Sequence, residues 1–229
     1  MPPRTATAAT ATATATDEEI RSVVVVQPRR GLPQLIHDAL GRSGALLRGH
    51  FGLQGGRHTE YFIRFRALSR DPALLEPIVD HLLAAVALPD DAIVLVPESA
   101  GFFLGDAIRR RIGAPLAVAR TDLQRRPARA LLHGEIPPGA QVVVVNDVVT
   151  TGASLEPLLD LVADRGATVV AALVFGALDG TGFRSTLNRR RIPGDHLLEA
   201  SERWPLQLAE ACEVCRRGGP ALIPAAELN

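Results

Sequence analysis

Val142-Val143-Val144-Val145 runs straight into Asn146-Asp147-Val148-Val149-Thr150-Thr151-Gly152-Ala153-Ser154, after which the chain takes up helical spacing. A buried strand that ends in an acid, paired hydroxyls and a glycine, and then opens a helix, is a place for an anion. The helix N-terminus offers free N–H groups and the positive end of its dipole, and in open α/β sheets ligands collect outside the carboxyl ends of the strands. A phosphate monoester suits that place. Thr150, Thr151 and Ser154 add hydroxyl donors, Gly152 allows close backbone approach, and Asp147, expected to face solvent at the strand end, sits where ribose hydroxyls would lie. The plainer reading is that Thr150 and Ser154 cap the helix while Asp147 ends the strand. The ordered succession of strand, acid, threonine pair, glycine and helix favours the anion site, and no Walker-type lysine points to a nucleotide triphosphate.

Other residues able to do chemistry are scattered. Cys212 and Cys215 are the two cysteines of the chain, too few for a secreted disulfide framework or a complete four-ligand zinc site. They could form half a metal site with the more distant His196 as a third ligand. Beside Arg216 and Arg217 in a terminal segment they read as incidental, so no metal ligand is assigned to the protein. His50 and His58 could touch substrate, but as lone histidines they read as surface or packing residues. All 25 basic residues are arginine, which excludes any mechanism that needs a lysine, and they are balanced by 25 acids. With no net charge and no long basic block, a nucleic-acid partner is not expected. Neither a run of about 20 apolar residues nor a signal-peptide pattern is present, so the expectation is a soluble cytoplasmic protein with no membrane partner.

The elements that must position the loop follow from periodicity. Thr5 to Thr16 is an almost pure Ala/Thr alternation with nothing to bury, and residues 1–19 are expected to be a disordered tail. Leu32 to Leu47 reads as a first helix, and Gly49 to Leu68 as a glycine-rich, hairpin-like region outside the main sheet. A helix follows Asp71-Pro72 to about Ala87. Strands are predicted at Ala92–Val96, Pro115–Ala119, Gln141–Val145 and Thr168–Phe175, with helices at Gly101–Ile112 and Leu155–Arg165. Short Val/Ile/Leu runs alternating with helices predict an α/β fold, a doubly wound parallel sheet flanked by helices. The polar stretch from Arg120 to Gly139 exceeds the length of ordinary connections, which favours a functional lid over a solvated insertion. Trp204-Pro205 is expected to anchor the C-terminal segment on the core.

With these motifs in view, Val142 to Ser154 resembles the phosphoribosyl pyrophosphate signature of type I phosphoribosyltransferases. Gly49-His50-Phe51-Gly52-Leu53-Gln54-Gly55-Gly56-Arg57, followed by Tyr61-Phe62, is similar to the N-terminal hood of the orotate phosphoribosyltransferase branch. Pro97-Glu98-Ser99-Ala100-Gly101 falls where that branch keeps its pyrophosphate loop, and Arg120 opens what would be its mobile catalytic loop. The resemblance implies a domain over 20–229, with a hood near 20–70, a core near 71–200 and a C-terminal appendage at 201–229. It also implies transfer of ribose 5-phosphate from a magnesium-bound pyrophosphate donor to a ring nitrogen of orotate or a related acceptor. Asn146 through Ser154 would hold the ribose 5-phosphate, and Glu98, Ser99, Ala100 and Gly101 the pyrophosphate. Arg57, Tyr61 and Phe62 would line the acceptor pocket, with Asp147, Arg120, Arg125 and Arg126 catalytic. Magnesium would arrive with the donor, and a homodimer would close each lid over its neighbour's site.

The chain departs from the family pattern in three places. Asn146 replaces the first of two adjacent acids, which predicts a reduced rate. Gln54, Ala100, Thr121 and Gln124 stand where the branch usually has lysines in hood and lid. Arg57, Arg120, Arg125, Arg126 and Arg129 could restore charge, though arginine does not donate a proton near neutral pH. The arginine expected to read the orotate carboxylate is missing from Ala177-Leu178-Asp179-Gly180. These departures keep a second reading open, a regulatory protein that binds phosphoribosyl pyrophosphate without turning it over.

Overall fold

The computed structural model describes residues 24–25, 33–53, 55–99, 101–122, 127–200, 204–225 and 228. The Ala/Thr-rich segment, Gln54, Ala100, Gln124, Arg125 and Arg126 lie outside them. In chain order the elements are β1 (Val24–Val25), α1 (Gln34–Ser43), β2 (Leu46–Leu53), β3 (Arg57–Ile63), α2 (Phe65–Leu68), α3 (Pro72–Ala84), β4 (Ile93–Pro97), α4 (Phe102–Ile112) and β5 (Leu116–Thr121). They continue with β6 (Pro127–His133), β7 (Gln141–Val149), α5 (Glu156–Asp164), β8 (Thr168–Ala177), α6 (Gly180–Arg190), β9 (Gly194–Glu199), β10 (Gln207–Leu208), α7 (Glu213–Arg216) and β11 (Ile223–Pro224).

The main sheet has six strands in the order β6-β5-β4-β7-β8-β9. All neighbours are parallel except β6, which returns antiparallel on β5. This is the expected doubly wound sheet. Its apolar runs are continuous because both faces are covered. Along β4 and β7, Val94, Val96, Val143 and Val145 pack into one layer with Ile78, Leu104 and Phe175. Leu95, Val142 and Val144 pack into the other with Leu158, Leu161 and Leu187.

Three expectations about elements need correction. The first helix stops at Ser43, because Gly44 takes a left-handed conformation (φ 63°) and Leu46 and Leu47 already belong to β2. The stretch Arg120–Gly139 is not one irregular loop. Residues 127–133 form β6, with Ala119 opposite Leu131, whose side chain packs on the second core layer. A proline as first residue and an exposed Arg129 suit an edge strand, and those same residues hid it. The third concerns α6 and β9, whose glycines and charges masked a complete further βαβ step.

A second, small sheet forms the hood. β2 and β3 make its hairpin, β1 pairs with β2, and the C-terminal segment supplies both β10, antiparallel on β3, and β11, parallel on β2. Trp204 is buried and stacks on Tyr61 at 5.7 Å, so it does anchor the C-terminal segment.

Candidate active site

The strand β7 runs four residues further than its valines suggest, so Asn146 and Asp147 lie inside it. Asn146 pairs with Val174 of β8, and Val148 with Gly176. Asp147 is therefore not the solvent-facing strand-end residue expected from the sequence, and only 7% of it is exposed. Its Oδ1 accepts the Val148 N–H at 2.6 Å, and Asn146 Oδ1 accepts the Asp147 N–H at 2.9 Å. Burial pushes the Asp147 carboxyl up to about 7, against the lowering effect of the Val148 N–H bond. A carboxylate held this way is short of a cation or a donor.

Past Val149 the backbone stays tied to β8 and the turn after it. Val149 O accepts from Leu178 N at 2.8 Å, and Thr150 O from Asp179 N at 2.7 Å. The chain then turns at Gly152 (φ 81°), where an added Cβ would lie 3.1 Å from the Phe183 Cα. Only glycine meets both demands, the left-handed conformation and the contact with α6. A single 3₁₀ turn, Ala153–Leu155, leads into α5. The N-cap positions of these two helical segments are Gly152 and Leu155, neither with a side-chain cap bond, so the plainer reading of Thr150 and Ser154 as capping residues does not hold. Both are half-exposed at the mouth of the turn.

The loop after β4 leans on the same place. Ser99 has φ 66°, which is unusual for a residue with a Cβ. A Cβ on Gly101 would lie 2.6 Å from Val145 O and 3.0 Å from the Asn146 Cα, so this glycine lets the loop rest on β7 beside the acid. Glu98 holds the third strand end. Its N–H donates to Ala119 O at 2.8 Å, and its Oε2 accepts from Thr121 N at 3.2 Å and Thr121 Oγ1 at 3.3 Å. Glu98, Ser99 and Gly101 thus come together with Asn146–Ser154 at the carboxyl ends of β4, β5 and β7. A cavity of about 640 Å³ behind this turn shares Glu98 and Ser99 with it, but is otherwise lined by α4, β5 and β6 residues such as Phe102, Asp106 and Leu132.

The arginines part company. Arg120 is exposed at the end of β5, next to Thr121. Arg129 turns away, its guanidinium 2.5 Å from Asp164 and 3.9 Å from Asp160. The acceptor trio is also split. Tyr61 is buried in the main core against Trp204, whereas Phe62 packs with Leu47, Phe51 and Ile223 in a separate cluster, and Arg57 opens β3 half-buried. Where the carboxylate-reading arginine was expected, Asp179 caps α6 by accepting from Gly182 N at 3.0 Å. Arg184, one turn on, makes two bonds to Glu199, at 3.0 and 3.3 Å. Sequence reading missed this pair because its members belong to two elements it did not resolve. His196, offered as a third metal ligand, faces Glu199 at 3.6 Å and the Phe183 ring, away from the cysteines.

Residues 76–187 match the phosphoribosyl transferase domain, a span that includes both loops and the sheet between them. The chain is 31% identical over 197 residues to orotate phosphoribosyltransferase of Heliobacterium modesticaldum, covering 82% of this chain and 94% of that protein. The chain belongs to the phosphoribosyltransferase family, in its orotate phosphoribosyltransferase-like branch. The enzyme of that name from Thermus thermophilus is also 31% identical, over 78% of this chain and 93% of its own length. Among solved structures, orotate phosphoribosyltransferase from Aeropyrum pernix superposes with a TM-score of 0.60 at 28% identity, over 72% of this chain and 94% of that one. The family resemblance read from Val142–Ser154 therefore holds, and it extends beyond the phosphoribosyltransferase core into the hood.

Proposed function

We propose that this protein transfers ribose 5-phosphate from phosphoribosyl pyrophosphate to a ring nitrogen of orotate, or of a closely related heterocyclic acid, with release of pyrophosphate. The C1–O bond to pyrophosphate breaks, the C1–N bond forms, and the acceptor's N–H proton passes to solvent. The observation that carries this reading is Asp147, a buried acid raised to about 7, at the meeting point of an anion-binding turn and a strained second loop. The turn Thr150–Ser154 suits the 5-phosphate through hydroxyls and backbone N–H groups, and Asp147 suits the ribose hydroxyls.

The residues present fit a magnesium ion carried in by the donor. Its preference is for oxygen ligands with few protein carboxylates, and Asp147 supplies one beside the neutral amide of Asn146. Bound there, it would act as a Lewis acid on the departing pyrophosphate. The protein's own share is to hold the ribose with Asp147 charged, opposite an oxocarbenium-like centre, and to meet the leaving group with the 98–101 loop and with Arg120, Arg125 and Arg126. A cation near Asp147 would favour its charged form and offset the desolvation that raises its pKa, so donor affinity is expected to rise with pH through about 7. A homodimer in the cytoplasm belongs to the same reading, which rests there on the family resemblance. The test is pyrophosphate release in the presence of phosphoribosyl pyrophosphate, magnesium and a panel of heterocyclic acids and bases. Release with orotate supports the proposal, and no release with any acceptor despite tight donor binding refutes it.

A further inference from the structure

Toward the turn end of the hood hairpin, where His58 pairs with Gly52, four side chains from two distant parts of the chain point at one another. His50 of β2, His58 of β3, Cys212 and Cys215 have one ligand atom each within 4.8 Å of all the others. Both histidines and Cys212 are buried, and Cys215 is exposed. We propose that these four residues bind one zinc ion, which fastens the C-terminal segment to the hood.

The spacings carry the assignment. His50 Nε2 lies 3.2 Å from His58 Nδ1, and the nitrogen-to-sulfur distances are 3.5 Å (His50 to Cys212), 3.6 Å (His50 to Cys215) and 3.4 Å (His58 to Cys215). A tetrahedral centre with Zn–N of about 2.05 Å and Zn–S of about 2.3 Å sets its nitrogens about 3.3 Å apart and a nitrogen and a sulfur about 3.6 Å apart. Four of the six edges thus already match such a centre, and the other two are no longer than 4.8 Å. The orientation of His50 fits as well. Its other ring nitrogen, Nδ1, is 3.0 Å from Pro220 O, and donating there leaves Nε2 unprotonated toward the cluster, the usual carbonyl support of a ligating histidine.

The topology gives the ion something to do. The cysteines lie on the connection between β10 and β11, which add to different strands of the hairpin, with Gln207 opposite His58 and Ile223 opposite Phe51. Each of those strands is two residues long, and the hood's own apolar cluster is Leu47, Phe51 and Ile223. Beyond the Trp204 anchor, two two-residue strands and this small cluster are slender fastening for the segment that follows, and a metal cross-link compensates. Four protein ligands leave no open position, so the ion is structural and takes no part in turnover. Loading releases two protons, one from each thiol.

The experiment uses the full chain, purified under reducing conditions without a metal-affinity tag, dialysed, and analysed for metals. One zinc per chain is expected. Replacing zinc by Co²⁺ should give the visible bands of a tetrahedral ion and thiolate-to-cobalt charge transfer in the near ultraviolet. Cys215→Ser, chosen because that side chain is exposed, should lose the charge-transfer intensity in part and release cobalt to a chelator at least tenfold faster. His196→Ala should behave as the parent. Chelation should lower Tm, and added zinc should restore it. The proposal is overturned if the parent holds no zinc and gives no tetrahedral cobalt spectrum, if Cys215→Ser retains metal like the parent, or if the reduced-state purification yields a Cys212–Cys215 disulfide without metal.

Discussion

The two sheets of this molecule are put together on different principles. The main sheet is built from runs such as Val142–Val145, and its inner strands β4, β7 and β8 are buried on both faces. The hood joins residues near 24, 46–63 and 207–224, pairs them through strands as short as two residues, and has a small separate apolar cluster of Leu47, Phe51 and Ile223. Continuous apolar area makes the first sheet rigid enough to hold Asp147 buried and Gly152 left-handed at its edge. The hood shares that area on one face only, through Leu46, Tyr61, Ile63 and Trp204, and beyond it depends on a small separate cluster and on the His/Cys group. Rigidity in the frame is what a site needs if it must hold a buried charge in place.

The largest expected effects set the sheets against each other. Leu95→Ala removes a fully buried side chain from the main sheet and should cost about 2–5 kcal/mol in global stability. Ile223→Ala should cost nearer the lower end, about 2 kcal/mol, and should loosen the hood first, seen as faster amide exchange in 46–63 with the main sheet still protected. Equal losses in one cooperative transition would show that the sheets unfold as a unit and would dissolve the contrast.

Asp147→Asn comes next. It should lower kcat/KM about a hundredfold or more, on the scale of a lost charge-assisted contact of about 3 kcal/mol. Stability should move the other way. The raised pKa means that Asp147's own contribution to the stability of the ligand-free protein is fully present below about 3.8 and is lost as pH rises through about 7. The asparagine variant escapes that loss, so its Tm should exceed the parent's at pH 8 and converge on it in acid. A variant that is less stable than the parent at pH 8 would mean that Asp147 is held by contacts other than those described.

The arginines give the finer comparison. Alanine at Arg120, Arg125 or Arg126 should lower kcat and kcat/KM together by roughly tenfold to a hundredfold each, if they meet charge developing on pyrophosphate. Lysine at the same positions should restore the charge. Arg129→Ala should leave turnover unchanged and cost under about 1 kcal/mol, because its surface ion pair with Asp164 is half-exposed on both sides. Comparable rate losses at Arg129 and Arg120 would place the edge strand β6 in the site.

What could be read from the sequence follows the same division. β4, β7 and β8 announce themselves because burial on both faces demands unbroken aliphatic runs, and the 146–154 loop is legible from its residue types in order. The depth of Asp147 is not, since nothing local says that β8 accompanies β7 as far as Ala177. The edge strand β6 hid behind Pro127 and Arg129, which an edge tolerates and an interior strand does not. His50, His58, Cys212 and Cys215 looked incidental because about 150 residues separate the two pairs, and only the pairing of β10 and β11 with the hairpin brings them together.

The most direct test of the account is steady-state turnover of the parent protein with phosphoribosyl pyrophosphate, magnesium and orotate, run beside Asp147→Asn. The account predicts pyrophosphate release coupled one to one to loss of orotate in the parent, and at least a hundredfold less in the variant under the same conditions. Equal rates in the two proteins, or a parent that binds the donor and turns over no acceptor, would contradict it.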